Sequence, residues 1–306
     1  MNVIVAGATG FIGSALTEAL LQRGDTVTVL TRNVERARQE FGTHVEAREW
    51  HPPQPGPWME AFDQADAVVN LAGALVAPFP KRWTRPYKEK ILQSRLDATN
   101  AVVDAIAKAG PPPTILVNAS GMDYYGSQGD TELMEESPPG EGFLADVTRQ
   151  WEAAARRAEE SGTRVVLLRT SIVLGDGGRS LPLMALPFRF FVGGTPGRAG
   201  QWVSWVHIED EVGFIIYALT HDEVRGPYNV TSPNPVQMGT FARQIGAALH
   251  RPSWLPAPPF LLKLALGEQA QVVLSSIRIL PKRAQEAGYQ FKHTDSGEAL
   301  KSALGK

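Results

Sequence analysis

The chain has 306 residues, of which 43% are hydrophobic and 20% are charged, a composition typical of a globular protein that buries a sizeable core. Its formal net charge of -2 gives it no general attraction for nucleic acid or for a membrane surface. It has no cysteine, which excludes disulfides and thiolate ligands, and none of its six histidines form a pair at close ligand spacing, so we expect no metal site.

Residues 2–33 predict a strand, a tight turn, a helix and a second strand. An apolar run is followed by three glycines, and apolar residues then recur at helical spacing as far as Gly24. In such a β-α-β unit, Gly7 allows a sharp turn, Gly10 lets backbone N–H groups approach a pyrophosphate, and Gly13 lets the helix lie close to the sheet. The pattern predicts a dinucleotide site, although the same glycines in isolation would fit a plain turn equally well.

The end of the second strand indicates which dinucleotide binds. An NAD site usually has an acidic side chain there for the ribose 2′-hydroxyl, whereas an NADP site has an arginine that pairs with the 2′-phosphate. This strand ends in Thr31 and Arg32, and Asp25 lies in the turn before the strand. The sequence therefore favours NADP(H), the alternative being that Arg32 is a solvated surface charge.

Strands and helices continue to alternate along the chain. Strands are predicted over 41–50, 65–74, 114–121 and 164–175, and helices over 85–110 and 144–161. This alternation predicts an α/β fold with a doubly wound, mostly parallel, Rossmann-like sheet. Short elements rich in Pro, Trp and Phe follow. We therefore expect an NADP-binding domain over 1–178 and a small C-terminal substrate-covering lobe over 179–306, with 200–232 contributing to both.

Several strings of residues together resemble a known family. GATGFIG (7–13), NLAG (70–73), NASGMDYYG (118–126) and SWVHIEDEV (204–212) occur in the order found in extended or atypical short-chain dehydrogenase/reductases. The tail GEQAQVVLSSIRILPKRAQEAGYQF (267–291) resembles the epimerase-like subgroup with a conserved C-terminal segment. Members are commonly labelled NAD(P)-dependent or sugar-nucleotide epimerases, and some relatives are labelled cell-division inhibitors. The resemblance implies a Rossmann-like fold, an NADP(H) cofactor and a homodimer formed through the long helices.

The glycine turn, the strand ends and the resemblance together predict the cofactor site. Arg95 is included because its helix borders the cofactor in this family, the alternative being a surface charge paired with Asp97 or Glu89. The predicted cofactor-binding residues are Gly7, Thr9, Gly10, Phe11, Ile12, Gly13, Thr31, Arg32, Leu71, Ala72, Gly73 and Arg95.

The family's catalytic residues are incomplete in this chain. In active members a strand-end serine orients the substrate oxygen, and a Tyr-x-x-x-Lys pair on the next helix supplies the proton and binds the nicotinamide ribose. Alignment places Asp146 and Gln150 at that pair, or Val147 and Trp151 if the register moves by one. Neither register restores the tyrosine and the lysine, so the standard proton donor is missing.

The predicted replacements follow the fifth strand, where ligands bind in such sheets. Ser120 is at or next to the serine position, and Tyr124 and Tyr125 follow in a loop expected to face the nicotinamide. We predict catalytic roles for these three residues, a tyrosine giving its proton to a carbonyl. The alternative is that the tyrosines are pocket walls and that Ser120 only hydrogen-bonds at the strand end.

Three further segments have expected roles. Lys81, Arg82 and Trp83 are candidates for holding an anionic or aromatic substrate, the alternative being solvated charges. His207 is expected to be structural, with Asp210 beginning a helix as a cap-like residue. The Leu-rich stretch 256–274 is predicted to be a helix that covers the pocket or an interface, with core packing favoured.

Two functions remain open at this point. The first is an NADP(H)-dependent oxidoreductase or epimerase-like enzyme acting on an unknown small carbonyl or alcohol, which the retained pocket features favour. The second is a non-catalytic NADP(H)-binding regulator or sensor, linked to cell division. We expect a small-molecule substrate and no nucleic-acid or membrane partner. We also expect a cytoplasmic location, because the chain has neither a basic leader nor an apolar run of about 18 residues.

Overall fold

The computed structural model describes residues 1–305, which form thirteen strands and eleven α-helices. The strands are β1 (Asn2–Ala6), β2 (Thr26–Thr31), β3 (Val45–Glu49), β4 (Ala67–Asn70), β5 (Ile115–Ala119), β6 (Glu132–Leu133), β7 (Arg164–Thr170), β8 (Ile172–Leu174), β9 (Trp202–Val203), β10 (Trp205–His207), β11 (Gly226–Val230), β12 (Val236–Gln237) and β13 (Arg278–Ile279). The helices are α1 (Phe11–Gln22), α2 (Val34–Phe41), α3 (Arg85–Lys108), α4 (Phe143–Arg156), α5 (Ser180–Arg189), α6 (Ile208–Thr220), α7 (Met238–Ala248), α8 (Pro259–Leu266), α9 (Gln271–Leu274), α10 (Lys282–Glu286) and α11 (Ser296–Leu304). Short 3₁₀ helices cover Pro57–Gln64, Met122–Tyr125, Arg157–Ser161 and Gly267–Ala270.

Seven strands form one parallel sheet in the order β11-β7-β5-β4-β1-β2-β3. The chain winds outward from β1 to β3 and then crosses to β4 on the other side of β1. That reversal leaves a crevice at the carboxyl ends of β1 and β4, which is where open α/β sheets bind their ligands. The predicted α/β fold with a doubly wound, mostly parallel, Rossmann-like sheet is confirmed.

Helices cover both faces of this sheet, as parallel strands buried on two sides require. On one face, α1 and α6 pack Leu16, Leu20 and Phe214 against the valines of β1 and β2. On the other face, α3 and α4 bring Val102 and Ala155 onto the sheet. The two layers hold the carboxyl ends of the strands in fixed positions.

Two predicted strands differ in the structure. The predicted strand over 41–50 contains only β3, and the residues before it form α2, which begins where the Asn33 side chain accepts the Arg36 amide. The predicted strand over 164–175 is two strands, because the chain leaves the main sheet at Ser171 and β8 pairs instead with β10. The predicted helices over 85–110 and 144–161 correspond to α3 and to α4 with its 3₁₀ extension.

A smaller part of the molecule lies beyond the strand ends. Its core consists of α5, α7 and α11 with the small pairs β8-β10 and β9-β12. The stretch 200–232 contributes to both parts, since β10 lies in this lobe whereas β11 completes the main sheet. The C-terminal segment contacts the part of the molecule that contains the main sheet, because β13 pairs with β6. The domain boundary at residue 178 stays a prediction.

Candidate cofactor and catalytic site

The glycine turn after β1 has the close contacts that a dinucleotide site requires. Gly7 has a φ of +84°, which side chains rarely adopt. A Cβ atom on Gly13 would lie 2.2 Å from the Gly7 carbonyl oxygen, so only glycine lets α1 approach the turn this closely. Gly10 is the N-cap of α1 and has no side chain to occupy the first N–H groups of the helix. These groups are left for an anion, and Thr9, Phe11 and Ile12 lie beside them.

The end of β2 carries two arginines rather than one. Thr31 is buried and its hydroxyl accepts the Asn33 amide at 3.1 Å, while Arg32 is exposed. Arg36, in the first turn of α2, reaches back so that its Nη2 donates to the Thr9 carbonyl at 3.1 Å. Arg36 was missed from the sequence because only the existence of α2 places it beside the glycine turn. The pair provides positive charge where an adenosine 2′-phosphate would lie.

Hydrogen bonds among buried polar side chains hold the loop after β4 in place. Asn70 donates to Asn118 at 2.7 Å and to Thr99 at 3.0 Å, and its side-chain oxygen accepts the Ala72 amide at 3.2 Å. These buried hydrogen bonds hold Leu71, Ala72 and Gly73 at the crevice. The predicted cofactor residues of this loop therefore lie beside those of the glycine turn, and the Gly7 turn packs against the Leu71 backbone.

Arg95 supports this loop from α3. Its Nη1 donates to the carbonyl oxygens of Ala74 at 3.1 Å and Ile91 at 2.9 Å, and its guanidinium lies 4.9 Å from the centre of the Trp151 ring. Burial lowers the pKa of Arg95 to about 10, and nearby Asp123 acts in the opposite direction. The arginine thus stays cationic at neutral pH, and its electrostatic partner is Asp123 rather than the predicted alternatives Asp97 or Glu89.

Ser120 lies at the end of β5 and is bound into a buried network. Its hydroxyl donates to Glu152 of α4 at 2.8 Å. Glu152 in turn accepts two hydrogen bonds from Arg169, at 2.8 and 3.0 Å, in a bidentate pair that is almost fully buried. Since the Ser120 proton is directed at Glu152, its free lone pairs are suited to accept a hydrogen bond from a substrate hydroxyl.

The two predicted catalytic tyrosines differ in environment. Tyr125 is fully buried, its hydroxyl donates to Asn229 at 2.6 Å and accepts from Arg169 at 2.9 Å, and burial raises its pKa. These contacts agree with the alternative of a structural role for Tyr125. Tyr124 is partly exposed, and its ring lies 3.5 Å from the Arg169 guanidinium carbon. Of the two tyrosines, Tyr124 is the one that a ligand can reach.

Asp123 stands in the same loop, between the serine and the tyrosines. It belongs to the 3₁₀ turn Met122–Tyr125, and the residue is partly exposed although its carboxyl group lies in buried surroundings. Burial raises the pKa of its carboxyl to about 6, although Arg95 pulls it down. A carboxyl with this pKa can give and take a proton near neutral pH. The sequence placed Asp123 in the loop but gave no sign of its altered pKa, which arises from the tertiary surroundings.

Helix α4 faces the site with residues that neither predicted register included. Asp146 and Gln150 are exposed, and Asp146 pairs with Arg149. In the other register Val147 and Trp151 are buried, so neither register places a tyrosine and a lysine at the strand end. Two further side chains of α4 lie there: Glu152, which bonds to Ser120, and Thr148, whose Cγ2 lies 3.8 Å from the position of a Cβ on Gly121. Thr148 and Glu152 are four residues apart, as in the Tyr-x-x-x-Lys pair, but supply neither a phenol nor an ammonium group.

The loop after β4 does not present its predicted substrate-binding groups freely. Arg82 donates to the carbonyls of Leu264 and Ala265 at the end of α8, at 2.6 and 3.0 Å. Trp83 is buried and donates to the Val76 carbonyl at 2.7 Å. Lys81 remains exposed. Arg82 and Trp83 are engaged in joining the loop to the rest of the protein, and a role of these residues in holding substrate stays a prediction.

A cavity of about 430 Å³ lies between Ser127 and the segment from α8 to α9. It is lined by Ser127, Lys263, Gly267, Glu268, Ala270, Gln271, Leu274 and Ser275. Ser127 follows Tyr125 by two residues, and the other residues belong to the segment from α8 to α9. The covering role predicted for 256–274 stays a prediction. The favoured core packing is wrong for α8, every residue of which is partly or fully exposed.

The histidines that are distant in sequence come together in the structure. The rings of His207 and His293 lie 3.8 Å apart, and His293 Nε2 is 3.3 Å from Glu209. His207 is the N-cap of α6, with Nδ1 accepting the Glu209 amide, so its Nε2 holds the proton in the neutral ring and lacks a lone pair for a metal. Asp210 accepts the amides of Lys292 and His293 instead of capping. The expected absence of a metal site stays a prediction.

Most of the chain matches the sequence model of a known protein family. Residues 3–231 match the NAD dependent epimerase/dehydratase family. The chain belongs to that family. Residues 257–303 match a second region described as a domain of unknown function, DUF1731, which corresponds to the conserved C-terminal segment expected from the sequence.

Relatives in the NAD dependent epimerase/dehydratase family align along the whole chain. The "Epimerase family protein SDR39U1 homolog, chloroplastic" of Arabidopsis thaliana is 41% identical and covers 99% of this chain and 87% of its own length. The "Epimerase family protein YfhF" of Bacillus subtilis is 38% identical, with 99% and 98% covered. A crystal structure of human epimerase family protein SDR39U1 (isoform2) with NADPH superposes with a TM-score of 0.86 at 34% identity over 100% of both chains.

These matches confirm the predicted membership of the epimerase-like subgroup. Among the described residues, no helix has both the length and the apolar character needed to cross a membrane. The predicted cytoplasmic location stays a prediction.

Proposed function

We propose that this chain is an NADP(H)-dependent oxidoreductase of the epimerase-like type, which uses Asp123 in place of the usual tyrosine to move a proton. The observation that carries the proposal is the position of Asp123. It lies at the carboxyl end of β5 beside Ser120 and Tyr124, and its carboxyl has a pKa of about 6. The substrate class is a small molecule with a carbonyl or an alcohol.

The residues of the crevice fit the cofactor. The close approach at Gly13, the free N–H groups after Gly10 and the arginines after β2 suit a pyrophosphate and a 2′-phosphate. The NADPH bound to the human relative supports this assignment. Under this proposal the predicted cofactor residues Thr9, Phe11, Ile12 and 71–73 line the crevice, whereas Arg95 acts on it indirectly by holding the 72–74 loop.

When bound, NADPH supplies the hydride, and the residues of this chain supply the rest. Asp123 in its protonated form donates to the substrate oxygen during reduction, and as a carboxylate it accepts that proton during oxidation. Ser120 accepts a hydrogen bond from a substrate hydroxyl, and the Tyr124 ring forms a wall of the pocket. Arg95 keeps the Asp123 pKa from rising further, so both protonation states are populated near neutral pH.

The proton step determines the pH dependence. Reduction needs protonated Asp123, so its rate should fall as pH rises through about 6, whereas oxidation needs the carboxylate and should rise over the same interval. We would measure NADPH oxidation with a panel of small aldehydes and ketones from pH 5 to 8. Asp123→Asn should lower kcat by roughly 10²- to 10⁴-fold with NADPH affinity retained.

The matched control is Glu141→Gln, an exposed carboxylate in the loop before α4. Its activity should equal that of the wild type. Tyr124→Phe should keep most of the activity under this proposal. Wild-type turnover by Asp123→Asn, or a large loss confined to Tyr124→Phe, would show that the proton comes from elsewhere.

A second candidate function is supported by the closed network at the site. Ser120 and Arg169 both donate to Glu152, and Arg169 also donates to Tyr125, so these side chains leave few groups directed at the crevice. A non-catalytic NADP(H) sensor would need only the cofactor cradle. Tight NADPH binding without turnover of any panel substrate, together with a protein partner that distinguishes NADPH from NADP⁺, would favour the sensor over the enzyme.

A further inference from the structure

One face of the smaller lobe exposes large apolar side chains next to cations. This apolar-cationic face is formed by α5 with the turn that follows it and by the segment from residue 250 to the end of α8. Its most exposed side chains include Phe190 at 70%, Trp254 at 65%, Phe260 at 67% and Leu264 at 71% of their full accessible area. Soluble proteins rarely leave several such side chains together in water without a partner.

The two segments of the face are joined to each other. The Trp254 indole donates to the Phe191 carbonyl at 3.1 Å, and the Trp254 amide donates to the Gly193 carbonyl at 3.0 Å. Leu186 near the end of α5 and Phe190, which directly follows that helix, are four residues apart, and both are exposed. The apolar side chains therefore form a continuous surface rather than scattered exposed residues.

The two stretches of sequence that contain this face carry charges of one sign. Residues 177–208 and 224–267 contain no aspartate and no glutamate. Their charged residues are Arg179, Arg189, Arg198, Arg225, Arg243, Arg251 and Lys263. The other parts of the chain hold all 32 acidic residues. The total charge of -2 led us to expect no membrane affinity. The cations and the carboxylates are nevertheless unevenly distributed along the chain, and these two stretches carry only cations.

We propose that the apolar-cationic face docks on the surface of an anionic lipid bilayer. Exposed Trp, Phe and Leu beside Arg and Lys fit the boundary between head groups and acyl chains, where apolar side chains enter and cations pair with anionic lipids. Phe191, stacked 4.6 Å from the Arg251 guanidinium, combines both kinds of group at one place.

A second copy of this chain fits the same face less well. Across a two-fold axis the face would meet itself, and its cations would oppose the same cations with no carboxylate between them. The predicted homodimer through the long helices would use a different surface, so it is compatible with docking. The proposal also does not depend on catalysis, because the face lies outside the crevice that holds the cofactor residues.

Sedimentation with lipid vesicles tests the proposal on the full-length protein. The protein should sediment with vesicles of phosphatidylcholine and phosphatidylserine, and far less with vesicles of phosphatidylcholine alone. Exchanging Arg189, Arg251 and Lys263 for glutamine should weaken binding to the anionic vesicles by roughly fivefold per cation. The double variant Trp254→Ser and Phe260→Ser should weaken binding to the anionic vesicles as well.

Matched controls lie on other surfaces. Arg85, Lys90 and Lys108 are exposed cations of the α3 region, and Phe79 is 52% exposed. Their exchange for glutamine and serine respectively should leave sedimentation unchanged, and all variants should keep the circular dichroism spectrum of the folded protein and its NADPH affinity. Absent or lipid-independent sedimentation would overturn the proposal. So would a dimer in analytical ultracentrifugation that the Trp254 and Phe260 substitutions abolish.

Discussion

The buried ion pair between Glu152 and Arg169 organises the candidate site at the scale of single residues. Glu152 receives hydrogen bonds from Ser120 and Arg169, and Arg169 continues to Tyr125 and to the Glu135 carbonyl. Arg169 also lies under the Tyr124 ring. One carboxylate thus fixes the serine, both tyrosines and the loop that contains Asp123.

Removing the charge of Glu152 should destabilise the protein strongly. Glu152→Gln leaves Arg169 buried without a countercharge, which typically costs about 3–5 kcal/mol of unfolding free energy. The measurement is urea unfolding followed by circular dichroism. Glu159→Gln, which breaks an exposed 3.9 Å pair with Arg156, is the control and should change stability by less than about 1 kcal/mol. Equal unfolding midpoints for the two variants would mean that the buried pair does not hold the site together.

Some residues of the site could be predicted from the sequence, because a known backbone motif requires a particular residue type at their positions. Gly7, Gly10 and Gly13 have the geometry that the motif demands, and Ser120 lies at its strand end. Arg36 and Asp123 could not be assigned, because their relevance comes from contacts with segments distant in the chain. The contact of Glu152 in α4 with Ser120 was not assigned either, because alignment on the Trp-Glu-Ala-Ala end of the helix does not determine which side chains meet β5.

At the scale of elements, the turn between β1 and α1 controls access to the crevice. The helix lies against the turn at Gly13, and its free N–H groups point to the space above β1 and β4. The site therefore depends on the distance between one helix and one turn. The distance can be this short only because Gly13 has no Cβ atom.

Adding that atom should separate helix and turn. Gly13→Ala places a Cβ 2.2 Å from the Gly7 oxygen and must push α1 outward, at a cost of about 1–3 kcal/mol, and NADPH binding should be lost. Calorimetric titration and thermal unfolding measure the two effects. Gly200→Ala is the control, because its Cβ would meet no atom within 4 Å. Unchanged NADPH affinity in Gly13→Ala would contradict the proposed position of the cofactor.

Elements with strong periodicity were predicted well, and short ones were not. The long helix α3 and the strands of the main sheet follow from apolar patterns that are buried in the fold. Helix α2 was missed because half of its eight residues are charged, and its start depends on the Asn33 cap. Helix α8 is apolar and was expected in the core, yet it is exposed, because sequence periodicity cannot tell which surface covers an apolar face.

At the scale of the whole molecule, one buried carboxyl should set much of the dependence of stability on pH. Glu211 lies in the first turn of α6 between the main sheet and the smaller lobe, and it accepts a hydrogen bond from Thr170 at 2.8 Å. Burial raises its pKa from the usual 4.5 to about 8. The folded protein thus binds this proton more tightly than the unfolded chain does.

The sign of the effect follows from that difference. The contribution of Glu211 is fully present below pH 4.5 and is lost as pH rises towards 8, so stability should decline over this interval. Glu211→Gln should remove most of the decline and add on the order of 2 kcal/mol at pH 8. Urea midpoints across this range test it, with the exposed Glu223→Gln as control. A decline that is the same in both variants would assign it to other groups.

The overall α/β architecture was predictable because alternating strands and helices allow few other arrangements. The concentration of cations in the stretches 177–208 and 224–267 was not deduced from the total charge, since a sum carries no information about position. The substrate also escapes prediction, because the segment from α8 to α9 meets the loop after β4 only through tertiary contacts such as Arg82 with Leu264.

The central claim is that the crevice binds NADP(H) through the glycine turn and the arginines after β2. The most direct measurement is a side-by-side calorimetric titration with NADPH and NADH of the wild type, Arg32→Ala and Arg36→Ala. Arg38→Ala, whose side chain pairs with exposed Glu35 at 2.8 Å, is the control. We predict tighter binding of NADPH than of NADH, with a loss of roughly 10- to 100-fold for NADPH alone in each of the first two variants. Equal affinities for the two dinucleotides in the wild type, or binding of neither, would contradict the account.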